Sequence, residues 1–199
     1  DICQYYPFIW TSAIANTAKA EKSPEVNLIS FLNTFDELID KQKAINPGKY
    51  KLVDIDSTPS LSKYFDSTNA VWLDDKHYYL SGINMSESNT PSQPFYSISL
   101  GKYARFEVSE IVIESNLPRN KKGKRQFPNA VTIEGMTNDN QLTKPVYQKV
   151  AYDDDGKCHF KLHFESPISQ IKILMEGEER NGGSLLRIKY IDVKGYFVQ

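Results

Sequence analysis

The chain has 199 residues, enough to bury a sizeable core and better suited to one domain with an extension than to two full domains. Hydrophobic residues make up 40% and charged residues 25%, an ordinary globular balance that excludes a disordered chain, and 12 Tyr with 10 Phe tilt it towards strands. A formal charge of -1 gives no global field for nucleic acid or an anionic membrane, and no apolar run approaches the ~20 residues of a membrane span.

The chain opens at Asp1 without a signal peptide, which leaves three origins open: a cytosolic protein, a processed one, or a piece of something longer. Tyr5, Tyr6, Pro7, Phe8, Ile9 and Trp10 form a dense apolar cluster, too short to span a membrane and too aromatic to be left in water. It packs either on the rest of the chain or on another domain or protein. Next comes a helix: Ser23 suits its cap and Pro24 its first position. Leu28, Phe31, Leu32, Phe35, Leu38 and Ile39 then recur on one face until Asn46, Pro47 and Gly48 stop it. Residues 1–66 therefore read as an N-terminal extension built around one amphipathic helix. Cys3 and Cys158 are too few for a disulfide scaffold and too isolated for a zinc site; they either form one bridge or remain buried thiols.

From about residue 69 the pattern changes to short alternating runs separated by turn residues, as in a sandwich or barrel. Tyr96, Ile98 and Leu100 alternate before Gly101; residues 108–113 form a second strand; Val131 and Ile133 lead a third to Gly135. Phe160, Leu162 and Phe164 alternate, Ile171, Ile173 and Met175 share a face, and Leu186, Ile188 and Tyr190 lead into Ile191, Val193 and Gly195. Ile98, Ile111, Ile113, Val131, Ile133, Leu162, Ile173 and Ile188 are the expected core.

The order of these runs resembles the galactose-binding-like family, also called discoidin or coagulation factor 5/8 type C domains, over about residues 69–199, within an expected sandwich domain of residues 67–199. A strand ending in Leu100-Gly101 is followed by Val108-Ser109-Glu110-Ile111-Val112-Ile113, and then by Phe127-Pro128-Asn129-Ala130-Val131-Thr132-Ile133-Glu134-Gly135. The family's Ser-Asn-Asp-Gly turn has its counterpart in Met136-Thr137-Asn138-Asp139-Asn140, without the glycine, and residues 185–195 resemble the family's closing strand. The resemblance implies a mostly β fold: a jelly-roll-like antiparallel β-sandwich, here with an N-terminal helical extension. Many members open with Asn-Ala-x-Asp-Gly, the Asp helping a structural calcium site. This chain reads Asn69-Ala70-Val71-Trp72-Leu73-Asp74-Asp75, so calcium, the one cofactor in view, would rest on Asp74, Asp75 and backbone carbonyls.

No nucleophile elbow, phosphate loop or metalloprotease motif accompanies the three histidines, His77, His159 and His163, so the chain reads as no enzyme. His159 and His163 share one face of a strand with Lys161, a solvated face rather than a metal site, and Asp153, Asp154 and Asp155 before Gly156 read as a hydrated turn. Arg119, Lys121, Lys122, Lys124 and Arg125 place five cations in seven residues, followed by Gln126 and Phe127. Such a loop suits sulfate, phosphate or uronic carboxylates, and a merely solvated loop explains it equally simply.

A neutral sugar needs an aromatic ring for its apolar face and hydrogen-bonding groups for its hydroxyls. Trp72, His77, Tyr78 and Tyr79 offer the first, although a Trp between Val71 and Leu73 is as readily a core residue. Glu178, Arg180 and Asn181, in a polar turn before Gly182 and Gly183, offer the second. The resemblance implies that both stretches border the ligand end, with Arg119, Arg125 and Phe127 as further candidates. The expected function is a non-catalytic carbohydrate-binding or adhesive module, part of a larger secreted, surface or carbohydrate-active protein. The alternative is a protein-interaction or assembly domain with the same sandwich, partnered through the Tyr5 to Trp10 cluster.

Overall fold

Runs in which every second residue is apolar set the strands, because successive side chains of an extended chain point to opposite faces. The computed structural model of the protein describes residues 23–33, 54–71, 78–81, 93–100, 105–115, 128–179 and 186–198, without the side chains of residues 32, 33 and 177–179. In chain order these carry β1 (Val26–Asn27), α1 (Leu28–Asn33), β2 (Asp54–Ser57), 3₁₀ turns at Lys63–Phe65 and Ser67–Val71, β3 (Tyr79–Leu80) and β4 (Phe95–Ser99). There follow β5 (Phe106–Glu114), β6 (Pro128–Met136), β7 (Val146–Lys149), β8 (Lys157–Lys161), β9 (Gln170–Glu179), β10 (Arg187–Ile188) and β11 (Tyr190–Phe197).

Two antiparallel sheets face each other, ordered β1-β11-β5-β8 and β2-β4-β9-β6-β7, with β10 and β3 forming a small third pair. The fold is the expected β-sandwich. Ile111, Ile113, Phe160 and Val193 of one sheet meet Ile98, Val131, Ile133 and Ile173 of the other in one buried cluster. All eight residues expected in the core are buried. Cys158 faces this core from β8; Cys3 lies outside the described residues, as does the Tyr5 to Trp10 cluster.

The last strand is the hub of the first sheet. In β5 the in-out alternation slips between Val108 and Ile111, both buried, because Ser109 is an extra residue: Glu110 pairs with Lys194 and Val108 with Gly195. This bulge keeps both halves of a long strand facing the core. Gly195 lies beside it, and a Cβ there would overlap the Glu107 carbonyl oxygen. At the 136–140 turn Asn140 takes φ 59, the left-handed conformation that asparagine tolerates best after glycine, so the family's missing glycine is replaced in kind.

The N-terminal part departs from the sequence reading. Ser23 does not cap a helix: its N–H donates to the Phe197 carbonyl and its hydroxyl accepts from the Phe197 N–H, both at 2.9 Å. Val26 and Asn27 then pair with Gly195 and Lys194 as an edge strand. Ladder bonds to β11 outcompete a helical start, and the helix begins only at Leu28. The cap is supplied from afar by Asp192, a buried carboxylate that accepts from the Ile29 N–H (2.8 Å) and the Ser30 hydroxyl (2.6 Å). Leu28 and Ile29 are buried, and the Phe31 ring packs 6.3 Å from that of Phe197; the rest of the expected helical face, from the Leu32 side chain onwards, lies outside the described residues. β2 likewise pairs with β4, so the segment read as an extension gives an edge strand to each sheet.

Asp192→Ala should cost about 2–4 kcal/mol, since it leaves several buried donors without an acceptor, read as a lower urea midpoint with an unchanged slope. Gly195→Ala should be comparably damaging, because backbone rather than a mobile side chain must move.

Burial pushes the Tyr79 phenol up to about 12 and also raises Tyr96 and Tyr190. These groups stay protonated in the folded protein where an unfolded tyrosine, near its usual pKa of about 10, already ionises. Stability is therefore full below about pH 10 and is lost as pH rises from there through about 12. Melting curves across that range should show a falling Tm, with a shallower fall in Tyr79→Phe.

Candidate functional site

Register decides which loops share an end. Phe106 pairs with Phe197 and bridges to Ile168, while Met136 pairs with Gln170, defining one end of the sandwich. At the other, Glu114 pairs with Tyr190 and Lys157, and Pro128 pairs with Glu179. The basic connection, residues 116–127, leaves from Glu114 and Ser115 and returns at Pro128. Residues 180–185 leave from Glu179 and return at Leu186, which donates its N–H to the Ser81 hydroxyl at 2.7 Å. Residues 72–77 are bracketed by Val71 and Tyr78, next to β3, which pairs with β10. The described residues that bracket all three segments thus gather at the Glu114 end.

Of the expected site residues, Trp72, His77, Arg119, Arg125, Phe127, Arg180 and Asn181, with Asp74 and Asp75, lie outside the described residues. Glu178 belongs to β9 rather than to a turn, because the pairing of β9 with β6 continues to Glu179. Tyr79 is a correction: it is buried in the core, its ring 5.3 Å from that of Tyr96, its hydroxyl donating to the Thr58 carbonyl at 2.6 Å. The strand alternation that turns Tyr79 inwards leaves Tyr78 on the other face, half-buried.

Tyr78 is the centre of what remains. The Phe65 ring lies 4.8 Å from its ring, and the Arg187 guanidinium stands 5.5 Å from its centroid. Arg187 Nε is buried with no hydrogen-bond partner. Next to Phe65, Tyr64 is 72% exposed with Lys63 Nζ 5.5 Å from its ring, and Leu61 is exposed nearby. Asn69 ties the group together: its side-chain N–H donates to the carbonyls of Tyr64 (3.1 Å) and Tyr78 (3.3 Å). Tyr64, Phe65 and Arg187 were not singled out from the sequence. The Lys63-Tyr64-Phe65 run falls in what reads as extension, and a strand arginine carries no signal of its own.

The other motifs resolve as structure. Asp153 to Gly156 is a tight hairpin turn closed by the Asp153 N–H to the Lys157 carbonyl, with Gly156 at φ 84. The Lys157 backbone N–H, and after it His159, hold the Asp153 carboxyl below its usual range. His159 is exposed and spans Asp153 (3.0 Å) and Glu110 (3.2 Å). Among the described residues, no three His, Cys, Asp or Glu groups gather as a metal site would require.

No protein-family model and no curated protein matches the chain. Solved structures do share its fold. The family 32 CBM from C. perfringens NanJ, in complex with galactose, is similar at TM-score 0.51 and 20% identity, covering 71% of this chain and 93% of that one. The C-terminal domain of a chitobiase from Bacteroides fragilis is similar at TM-score 0.52 and 12% identity, covering 75% and 97%. A Streptococcus pneumoniae fucose binding module is similar at TM-score 0.50 and 10% identity, covering 70% and 91%. The sandwich is therefore the galactose-binding-like, discoidin-type fold.

Asn69→Ala should cost about 1 kcal/mol and loosen the turn bearing Tyr64, so limited proteolysis after Tyr64 should quicken at temperatures well below the Tm.

Proposed function

We propose that the protein is a non-catalytic carbohydrate-binding module that takes a neutral sugar at the Glu114 end of the sandwich. The observation that carries this reading is the pairing of Tyr78 with Arg187. A sugar ring presents an apolar face and an edge of hydroxyls, and here the Tyr78 ring, packed against Phe65 and lying under the Arg187 guanidinium, adjoins the exposed ring of Tyr64, so an aromatic surface and a cationic donor group come together. Two of the similar folds are described by what they bind, galactose in one case and fucose in the other, which makes both the first ligands to test. Residues 72–77 and 180–185 start and finish at this end, so Trp72, His77, Arg180 and Asn181 are proposed to complete the contacts, with Glu178 at the margin. The basic connection with Arg119, Arg125 and Phe127 is proposed as a flank that biases the site towards acidic glycans without being needed for neutral ones.

Binding by stacking and hydrogen bonds should be nearly indifferent to salt, whereas attraction between solvated charges is screened over ~8 Å at physiological ionic strength. A glycan array followed by calorimetry at low and high salt tests this. Arg187→Ala should weaken binding about tenfold or more, as expected for a lost charge-assisted hydrogen bond, and Tyr78→Ala should do the same. Replacing the five basic residues by Ser should leave neutral-sugar affinity within a factor of about two. Binding abolished only by the Ser replacements would sink the assignment of the site.

A further inference from the structure

Among the described residues, the exposed large hydrophobic side chains are Leu61, Tyr64, Leu142 and Tyr147. They fall into two pairs on different parts of the sandwich. Leu61 and Tyr64 lie at the end already discussed. Leu142, 65% exposed, and Tyr147, 60% exposed, line a groove of ≈ 490 Å³ towards the Phe106 end. Leu142 bridges to Met136 at the Phe106 end of β6 and Tyr147 pairs with Thr132 midway along it, whereas Tyr78 and Arg187 lie by β3 and β10 at the Glu114 end, so the two regions share no residue.

The groove runs between two walls. One is the connection from β6 to β7, where Leu142 bridges to Met136 and the Thr143 hydroxyl accepts from the Gly135 N–H at 2.9 Å. The other is the stretch after β8, bringing His163 and Glu165. Both walls are anchored: Phe164 behind the second is buried, and the Thr143 N–H donates to the Gly135 carbonyl at 2.9 Å. Its volume lies within the ~300–1,000 Å³ of small-molecule sites.

The lining chemistry narrows the occupant. Lys144, His163 and Glu165 place groups of both signs around the groove, which gives no field for a polyanion. The same side chains, with Gln141, present donors and acceptors suited to hydroxyls, while Tyr147 and Leu142 add apolar lining. We infer that this groove is a second saccharide-binding site, for a neutral mono- or disaccharide, which makes the module bivalent. The inference builds on the carbohydrate-binding reading but does not share its residues.

The test is amide-resolved NMR on the uniformly labelled full chain, titrated separately with galactose, fucose, lactose and N,N′-diacetylchitobiose. At least one sugar should shift the amides of Tyr147, His163 and Glu165. Tyr147→Ala should weaken that response about tenfold while leaving shifts at Tyr78 and Arg187 intact, and His163→Ala should weaken it without altering the rest of the spectrum. Groove shifts with a silent Tyr78 end would uphold this site and overturn the location proposed above. Shifts at Tyr78 and Arg187 alone, groove shifts that survive both variants, or no response to any of the four sugars would overturn the second site. Two separate sites can engage two branches or two chains of a glycan, and affinity for a multivalent surface then exceeds that of either site alone.

Discussion

The candidate site hangs on two buried phenols. The segment from Thr58 to Val71 carries Tyr64 and Phe65 but has few buried apolar residues of its own, Ala70 among them. It is fixed from beneath by Tyr79, whose hydroxyl donates to the Thr58 carbonyl at 2.6 Å, and by Tyr96, whose hydroxyl donates to the Ser67 carbonyl at 2.8 Å. The two rings pack against each other in the core, so each phenol has an apolar body held by the sandwich and a polar tip held by the cap. Each bond is worth only about 1 kcal/mol net, but leaving a buried hydroxyl unsatisfied costs more. The segment from Thr58 to Val71 is therefore registered to the sheets by hydroxyls of tyrosines whose rings are held in the core.

A comparable device joins the N-terminal segment to the last strand. Asp192 on β11 is buried and accepts from the backbone and side chain of Ile29 and Ser30, and Tyr190 adds its hydroxyl at 3.1 Å. A buried carboxylate is tolerable only when its lone pairs are filled in this way. Because β11 is also the partner of β1 and β5, one strand orders the first sheet, the helix start and the entry of the chain. The second sheet is ordered differently, around β9, which lies between β4 and β6 and leads directly into the segment that returns at Arg187.

This division leaves the sandwich itself as a packed scaffold. Its two faces are filled with Ile, Val and Phe that only pack, and the sheet edges are occupied by short strands with alternating exposure, as in β7 and β2. Among the described residues the exposed aromatic side chains are Tyr64, in a 3₁₀ turn, and Tyr147, on the edge strand β7.

The sequence by itself determined the sandwich, because a period of two with turn residues between runs is a local property. Ile98, Ile111, Ile113, Val131, Ile133, Leu162, Ile173 and Ile188 could all be assigned inwards without a structure, and the Asp153 to Gly156 turn was legible from residue type. Local pattern misled where a distant partner competed. Ser23 and Pro24 have the chemistry of a helix start, yet the backbone of Phe197 takes Ser23 into a ladder, and the cap comes from Asp192, far along the chain. Tyr78 and Tyr79 are indistinguishable by type; only the pairing of β3 with β10 turns one into the core and leaves the other beside Phe65 and Arg187. Arg187 and the groove beneath Tyr147 were invisible in sequence for the same reason: a site is a juxtaposition of segments, and strand register, which is settled by tertiary packing, chooses which segments meet.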